Sequence, residues 1–338
     1  VSERYSRQER FSGVGPEGQE RLRAASVVVV GAGALGSVLA ETMARAGIGR
    51  LTVVDRDYVE ASNLQRQSLF TEEDAERGLP KAVAAEARLR AINSEVEVRG
   101  LVADFAADNA ATLVCGADLV LDGTDNFEAR FLLNDACLRA GVPWIYGACV
   151  AAHGVALLVR PRVTPCLRCV LEEKPAPGSG PTCDTAGVVS PIVHVVAGIQ
   201  AAEAMKLLAG RPEALLPGLV TVDLWAGVFD VMDLRGRVPW CPACTDARYD
   251  YADASASPAA VLCGRDAVQL RAPTGERVDL VSLGERLRRA GQVTANEHLV
   301  RFRAAGAEIV VFGDGRAIVK GVRDAAEARG LYSRYVGN

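Results

Sequence analysis

The sequence predicts an α/β protein built on a mostly parallel sheet with helices on both faces. Three observations predict it. A β-branched run, Ser26-Val27-Val28-Val29-Val30, feeds directly into Gly31-Ala32-Gly33-Ala34-Leu35-Gly36, which opens a helical pattern to about Ala46. A second strand, Leu51–Val54, ends in Asp55. Strand and helix patterns then alternate as far as Gly147, the rhythm of a parallel sheet whose crossovers are helices.

Each element has its own signal. Residues 1–25 are polar with scattered apolar positions and form an arm that a helix would suit. The Val27–Val30 run lacks polar alternation, as expected of a strand buried on both faces. A helix near 80–92 precedes a strand near 95–102. Strand Asp118–Asp122 and helix 127–140 lead to strand Pro143–Gly147. Residues 161–181 are rich in proline and glycine and read as loop. A helix from about Pro191 to Ala209 and strands near 219–224 and 227–233 complete a domain spanning 1–250. Ala252–Ala260, within the interval 251–260, reads as a linker. Residues 261–338 then form a small appended α+β domain: strand 266–271, helix 279–290, strand 297–303, a hairpin through Gly313-Asp314-Gly315 and helix 324–335. Asp-Gly between two apolar runs is a strong hairpin signal.

Composition excludes several classes. With 338 residues the chain has ample material for a core, and 49% hydrophobic with 24% charged residues is ordinary for a globular protein. Net charge is −4, from 38 basic and 42 acidic residues, so no nucleic-acid footprint is expected. The first residues lack the apolar core of a signal peptide. The apolar stretch 186–209 carries His194, Gln200, Glu203 and Lys206, against a membrane span. Nine cysteines without a secretory signal point to a reducing, cytoplasmic setting.

The glycine turn is the first chemical feature. In strand–turn–helix context, with Asp55 19 residues past Gly36, it is a Rossmann-like nucleotide-binding pattern. The glycines admit phosphates to the backbone and a helix N-terminus, while the acid accepts from ribose hydroxyls. NAD and ATP fit this equally well. Asn63-Leu64-Gln65-Arg66-Gln67, Lys81, Asp122-Gly123-Thr124-Asp125-Asn126 and Arg4–Gln8 shift the balance toward ATP. Two carboxylates at the C-terminal end of a strand, beside phosphates, are Mg²⁺ chemistry. A nicotinamide-dependent oxidoreductase is the alternative, and it leaves Arg66 and Asp125 unexplained.

Cys166/Cys169 and Cys241/Cys244 form two CxxC pairs, each after a proline-containing loop. Four thiolates satisfy a closed, structural Zn²⁺ site. A dithiol redox centre would need one pair at a helix start. Cys115, Cys137 and Cys149 lie in apolar contexts and are expected in the core. Cys263 is expected to be structural, and His153, His194 and His298 have no second ligand at metal spacing.

Arg4–Gln8, Gly31–Gly36, Asp55, Asn63–Gln67, Lys81, Asp122–Asn126, Cys183-x-x-Ala186-Gly187-Val188 and both CxxC pairs stand in order along residues 1–248. In this the chain resembles the MoeB/ThiF/HesA family, bacterial relatives of ubiquitin-activating enzymes. The resemblance implies an adenylyltransferase that uses ATP and Mg²⁺ to activate the C-terminal Gly-Gly carboxylate of a ubiquitin-like sulfur carrier. It implies that Gly31, Gly33 and Gly36 flank the nucleotide, and that Asp55 holds the ribose. Asn63, Arg66 and Lys81 would contact the triphosphate. Asp125 would bind Mg²⁺, with Asn126 nearby, and Asp57, Gln67 and Asp122 complete the cofactor-binding set. Arg7 would reach the γ-phosphate from a second subunit, making a homodimer part of the site. The spacing from Arg66 to Lys81 is slightly longer than the family's. The resemblance leaves Cys183 either a nucleophile that forms a thioester or acyl-disulfide link to the carrier or, as in other members, a dispensable loop thiol, and Asp184 beside it works against a low thiol pKa. Its surroundings look more like the thiamine-pathway members than the molybdopterin ones. The appended domain would dock a downstream protein such as a sulfurtransferase.

Overall fold

The structure, a computed structural model, describes residues 3–176, 180, 182–236, 240–254, 259–262, 267–271, 277–304, 306–322 and 324–337. The chain divides into two compact units. One is Val1–Pro175 with Ala186–Ser255, the other Ala176–Thr185 with Ala256–Asn338.

The first unit begins with α1 (Ser6–Arg10) and α2 (Gly15–Ala24), then β1 (Ser26–Val30), α3 (Ala34–Ala46) and β2 (Arg50–Asp55). Next come α4 (Glu72–Glu76), α5 (Lys81–Ile92), β3 (Glu97–Val102), α6 (Ala110–Val114), β4 (Leu119–Asp122), α7 (Phe127–Ala140) and β5 (Trp144–Val150). It continues through β6 (His153–Val159), α8 (Leu167–Val170), α10 (Ser190–Leu208), β7 (Gly218–Asp223) and β8 (Val228–Asp233), with α9 (Cys183–Ala186) straddling the division. The eight strands lie in the order β3-β2-β1-β4-β5-β6-β7-β8. The first five are parallel, and the last three extend the sheet antiparallel. Strand order reverses between β1 and β4, the switch point where open α/β sheets bind ligands.

Sequence explains the layering. Val27 and Val29 of β1 pack into one apolar cluster with residues of α3, α5 and α10. Val28 and Val30 pack into a second with α6, α7 and α8. Valine at the last four positions of β1 thus serves both faces, because successive side chains alternate. The helix Ser190–Leu208 is long and apolar enough to cross a membrane by length and composition. Here Ile192, Val193, Val196, Ala197, Ala201 and Ala204 are buried in the first cluster. Inside it, Gln200 donates to the carbonyls of Asp122 (3.0 Å) and Ile145 (3.1 Å), joining the ends of β4 and β5.

β6 departs from the sequence expectation, which has no strand there. It pairs with β5 antiparallel from Trp144↔Val159 to Val150↔His153. The connection is so short that Ala151 takes a positive φ of 53°. The βα rhythm breaks at this hairpin, so periodicity read from earlier units does not anticipate it. Cys115, expected in the core, is exposed at the end of α6, while Cys137 is buried and Cys149 half-buried. In Leu113-Val114-Cys115 it is Val114 that is buried in its place.

The second unit contains β9 (Ala259–Leu262), β10 (Ala267–Leu270), α11 (Leu280–Leu287), β11 (Gln292–Ala295), β12 (Leu299–Ala304), β13 (Ala307–Phe312), β14 (Ala317–Lys320) and α12 (Ala325–Tyr335). Its six-stranded sheet runs β11-β12-β13-β14-β10-β9, antiparallel throughout. β9 starts inside the stretch read as linker, and β11 is a further strand that the sequence reading lacks. β9 (Ala-Ala-Val-Leu) begins in an alanine-rich stretch and β11 (Gln-Val-Thr-Ala) has one large apolar residue, so neither shows a hydrophobic pattern. Cys263 lies outside the described residues.

On this sheet Glu308 accepts from Arg301 Nε (2.9 Å) and Arg303 Nε, with Lys320 Nζ at 3.6 Å. Burial alone would raise its pKa, but these partners outweigh burial and hold it at about 2. A carboxylate depressed in the folded state contributes stability above its unfolded pKa and loses it as pH falls. Glu308→Gln is therefore expected to cost about 2 kcal/mol at pH 7. Urea unfolding of the full chain should show that deficit shrinking from pH 4.5 toward 2.

Candidate nucleotide site and thiol cluster

The site forms where β1, β2 and β4 end. Gly31 has φ of +88°, and its N–H donates to the Val54 carbonyl at 2.7 Å. A Cβ on Gly31 would stand 2.7 Å from the Gly123 carbonyl oxygen, and one on Gly36 would stand 1.7 Å from the Gly31 oxygen. These glycines let backbone pack on backbone. Gly33 differs: a Cβ there would have no neighbour nearer than 3.8 Å, with Gln67 Nε2 at 4.0 Å. A Cβ there would make only ordinary contacts, so the packing of the fold does not require glycine at this position. Gln67 beside it is buried, and its Oε1 makes no hydrogen bond to the protein. Buried amide oxygens are seldom left so, and a ligand against Gly33 would supply the missing donor or an ordered water. These features fit a nucleotide.

Asp55 closes the turn from β2. Its carboxylate accepts from the N–H groups of Ala32 (2.6 Å) and Asp57 (2.7 Å). Burial raises its pKa, and the Lys81 charge opposes that. Lys81 is the first residue of α5 and is buried. Its N–H donates to the Asp57 carbonyl (2.9 Å) and its Nζ lies 3.4 Å from Asp57 Oδ2. The longer spacing from Arg66 thus still delivers a lysine to Asp55 and Asp57. Asn63 is buried, its Oδ1 accepting from the Glu60 N–H at 3.1 Å. The Arg66 guanidinium is half-buried and donates to the Ser62 carbonyl at 2.9 Å.

Past β4, Asp122 and Asp125 part company. Asp122 is wholly buried. It accepts from Thr124 N–H (2.9 Å) and Oγ1 (2.7 Å), and faces Arg130 Nε at 3.6 Å. Burial raises its pKa against the Arg130 charge. Its oxygens hold the loop, a different place from the ligand-facing one expected of it. Asp125 is exposed, with Asn126 Nδ2 donating to its Oδ1 at 3.3 Å. Asn126 also caps α7, accepting from the Ala129 N–H at 2.9 Å. Arg130 is a residue that sequence reasoning missed. Its Nη2 donates to the Thr124 carbonyl at 2.9 Å, and it lies over Phe127 and Tyr146. In sequence it looks like any helix-surface arginine.

Arg7 is exposed on α1. That helix is pinned by Gln8, which donates to Gln19 (2.6 Å) and the Ala46 carbonyl (2.9 Å), and by buried Tyr5, which accepts from Asn93 (2.8 Å). Cys183 is half-buried on α9, in the segment 176–185 that belongs to the second unit.

The four CxxC thiols converge. Cys166 Sγ is 3.9 Å from Cys169 and 3.7 Å from Cys241, and Cys169 is 3.7 Å from Cys244. All four sulfurs lie within 4.8 Å of one another, the spacing of a tetrahedral thiolate site. Cys166 ends the loop before α8, where Asn134 Oδ1 accepts from the Leu167 N–H at 3.0 Å. Hydrogen bonds from Cys166 and Cys169 hold Cys244 down at about 4, while those same contacts push Cys166 up. A divalent soft-ligand cation removes that conflict by taking all four as thiolates, so the cluster could hold zinc.

A glycine turn, a ribose-type acid and a buried lysine at the switch point of a parallel-rich sheet define a nucleotide-binding α/β protein. The chain belongs to the ThiF family, which it matches over residues 5–243. It is 45% identical over 337 residues to the sulfur carrier protein ThiS adenylyltransferase of Bacillus subtilis, covering 99% of both chains. It is 43% identical over 249 residues to the sulfur carrier protein adenylyltransferase of Thermus thermophilus, covering 72% of this chain and 91% of that one. The crystal structure of Escherichia coli MccB with ATP is similar at a TM-score of 0.62 and 26% identity, over 72% of this chain and 75% of that one.

Purified protein should carry about one zinc per chain by elemental analysis, from the four-thiolate count. Cys241→Ser should lower metal content and thermal stability together. Full stability without metal would reject the structural site.

Proposed function

We propose that the chain is an ATP-dependent adenylyltransferase that activates the C-terminal Gly-Gly carboxylate of a ubiquitin-like sulfur carrier. The observation that carries this is buried Lys81 held beside Asp55 and Asp57, where β2 ends next to the glycine turn. A nicotinamide enzyme leaves Arg66 and Asp125 unexplained. The full-length similarity to a ThiS adenylyltransferase supports the substrate class.

A carboxylate oxygen of the carrier attacks the α-phosphorus of ATP, the bond to the β-phosphate oxygen breaks, and pyrophosphate leaves. Two anions meet in this step, so cations must neutralise the developing charge. Asp55 accepts from the ribose. Gly33 and Gln67 border the nucleotide, and a hydroxyl of the nucleotide or an ordered water donates to the Gln67 amide oxygen. Asn63, Arg66 and Lys81 bind the triphosphate. Asp125, with Asn126, holds Mg²⁺, which would supply charge neutralisation at the phosphates. Asp122 and Arg130 position that loop. Arg7 reaches the γ-phosphate from a second copy of the chain, in a homodimer.

The 45% identity to a ThiS adenylyltransferase over 99% of both chains supports a carrier of the ThiS kind. The four CxxC thiolates hold a structural zinc. The Cys183 thiolate attacks the acyl-adenylate carbonyl, releasing AMP and leaving a thioester for sulfur transfer. The second unit recruits the downstream protein, in a reducing, cytoplasmic setting.

ATP–pyrophosphate exchange tests the reading. Wild type should exchange label only with a Gly-Gly carrier present, and Asp125→Ala should lose at least about a hundredfold. Exchange without any carrier, or an unaffected Asp125→Ala, would refute it. Mixing Arg7→Ala with Asp125→Ala should restore up to about a quarter of wild-type exchange through heterodimers, if Arg7 acts across subunits.

A further inference from the structure

Arg56 is the charged residue that no reading of the site has used. It stands between Asp55 and Asp57 in Asp55-Arg56-Asp57, and its side chain leaves β2 toward the end of β3. There its Nη1 donates to Asp104 Oδ1 at 3.0 Å, with the side chains 25% and 14% exposed. The backbone on both sides is fixed. The Ala103 N–H donates to the Asp55 carbonyl (3.1 Å), extending the β2–β3 ladder by a residue. Asn109 Nδ2 donates to the Asp104 carbonyl (2.7 Å), and its Oδ1 accepts from the Ala106 N–H (3.0 Å). Lys81 and the Asp55 carboxylate hold Asp57 from the other side.

Burial works against the Arg56 charge, and Asp104, Asp57, Asp125 and Asp55 outweigh it. Arg56 therefore feels both the ribose-type acid and the acid of the β4 loop. An isolated pair with Asp104 at a surface would contribute little, about 0–1 kcal/mol, and would need no such scaffold. A guanidinium fixed through one edge presents a flat π face, which a lysine cannot offer. At the ends of β2 and β3, next to the carboxylate assigned to the ribose, the nearest flat group of a bound nucleotide is its base.

We propose that Arg56 is a nucleotide-contacting residue that packs its guanidinium plane on the purine ring, with Asp104 as the residue that positions it. The inference rests on the adenylation reading. It gives this sequence a base-recognition element outside the glycine turn, and it separates the roles of the neighbouring cations: Arg56 binds the nucleoside, while Arg66 and Lys81 bind phosphates.

Calorimetric titrations of full-length protein with AMP and with pyrophosphate test it separately. Arg56→Ala should weaken AMP binding about tenfold and raise KM for ATP similarly, with a much smaller fall in kcat. The dissociation constant for pyrophosphate should not change. Arg56→Lys should recover less than half of the lost affinity in logarithmic terms, and Asp104→Asn should weaken AMP about threefold. Unchanged AMP affinity in Arg56→Ala, full recovery by lysine, or weakened pyrophosphate binding would each overturn the assignment. If wild type binds AMP but no carrier supports exchange, the adenylation reading falls and the Arg56 assignment is still decided by the AMP titrations. If wild type binds no adenine nucleotide, both fall.

Discussion

The close approach of two backbones at Gly31, Gly36 and Gly123 is the constraint on which the nucleotide site depends. A Cβ on Gly123 would stand 2.5 Å from the Gly31 oxygen, and the corresponding clash at Gly36 is nearer still. A side chain at Gly31 or Gly123 would wedge the β1 turn from the β4 loop, and one at Gly36 would push the start of α3 off the turn. The turn could not then open α3 directly above the sheet, and Asp125 would move away from the phosphate side. A Cβ at Gly33, by contrast, would make only ordinary contacts. The same short motif thus contains glycines that the packing requires and one that it does not, and only the surrounding atoms distinguish them.

Charge is arranged around that contact in two tiers. Asp122 and Arg130 are buried together and spend their polar atoms on Thr124, Gly147 and each other. They hold the loop. Asp125, one helical cap removed, remains exposed and linked to Asn126. On the β2 side, Asp55 is spent partly on backbone N–H groups, yet each carboxylate oxygen retains a second lone pair for a hydroxyl. Carboxylates near an intended polyanion are tolerable because Lys81 and Arg56 are set among them. The thiol cluster, joined to the same unit through Asn134 on α7, ties the loop after β6 to the segment after β8.

Much of the first unit was legible in the sequence because its signals are local. The valine run, the glycine turn, Asp55 and the Asn126 cap each depend on residues within a turn or a strand. The CxxC pairs were legible for another reason: thiol chemistry at that spacing has few uses. β6 was not legible, since a hairpin in place of a crossover has no warning in periodicity. Nor were β9 and β11, neither of which shows a hydrophobic pattern. Cys115 misled because apolar neighbours in sequence were taken for apolar neighbours in space.

Within the site the division is similar. Gly31, Gly36, Asp55, Lys81 and Asp125 could be named from sequence order alone, because motif and strand end coincide. That determined the class of chemistry and the family. The places of Asp122 and Arg130 were decided by the tertiary structure, and the roles proposed for Arg56 and Gln67 rest on it. Each is a polar residue whose part depends on whether its atoms are already occupied, as at Asp122, or left without a partner, as at the Gln67 amide oxygen. Occupancy of a hydrogen-bonding atom is a property of neighbours brought from distant strands, and the order of residues does not encode it locally.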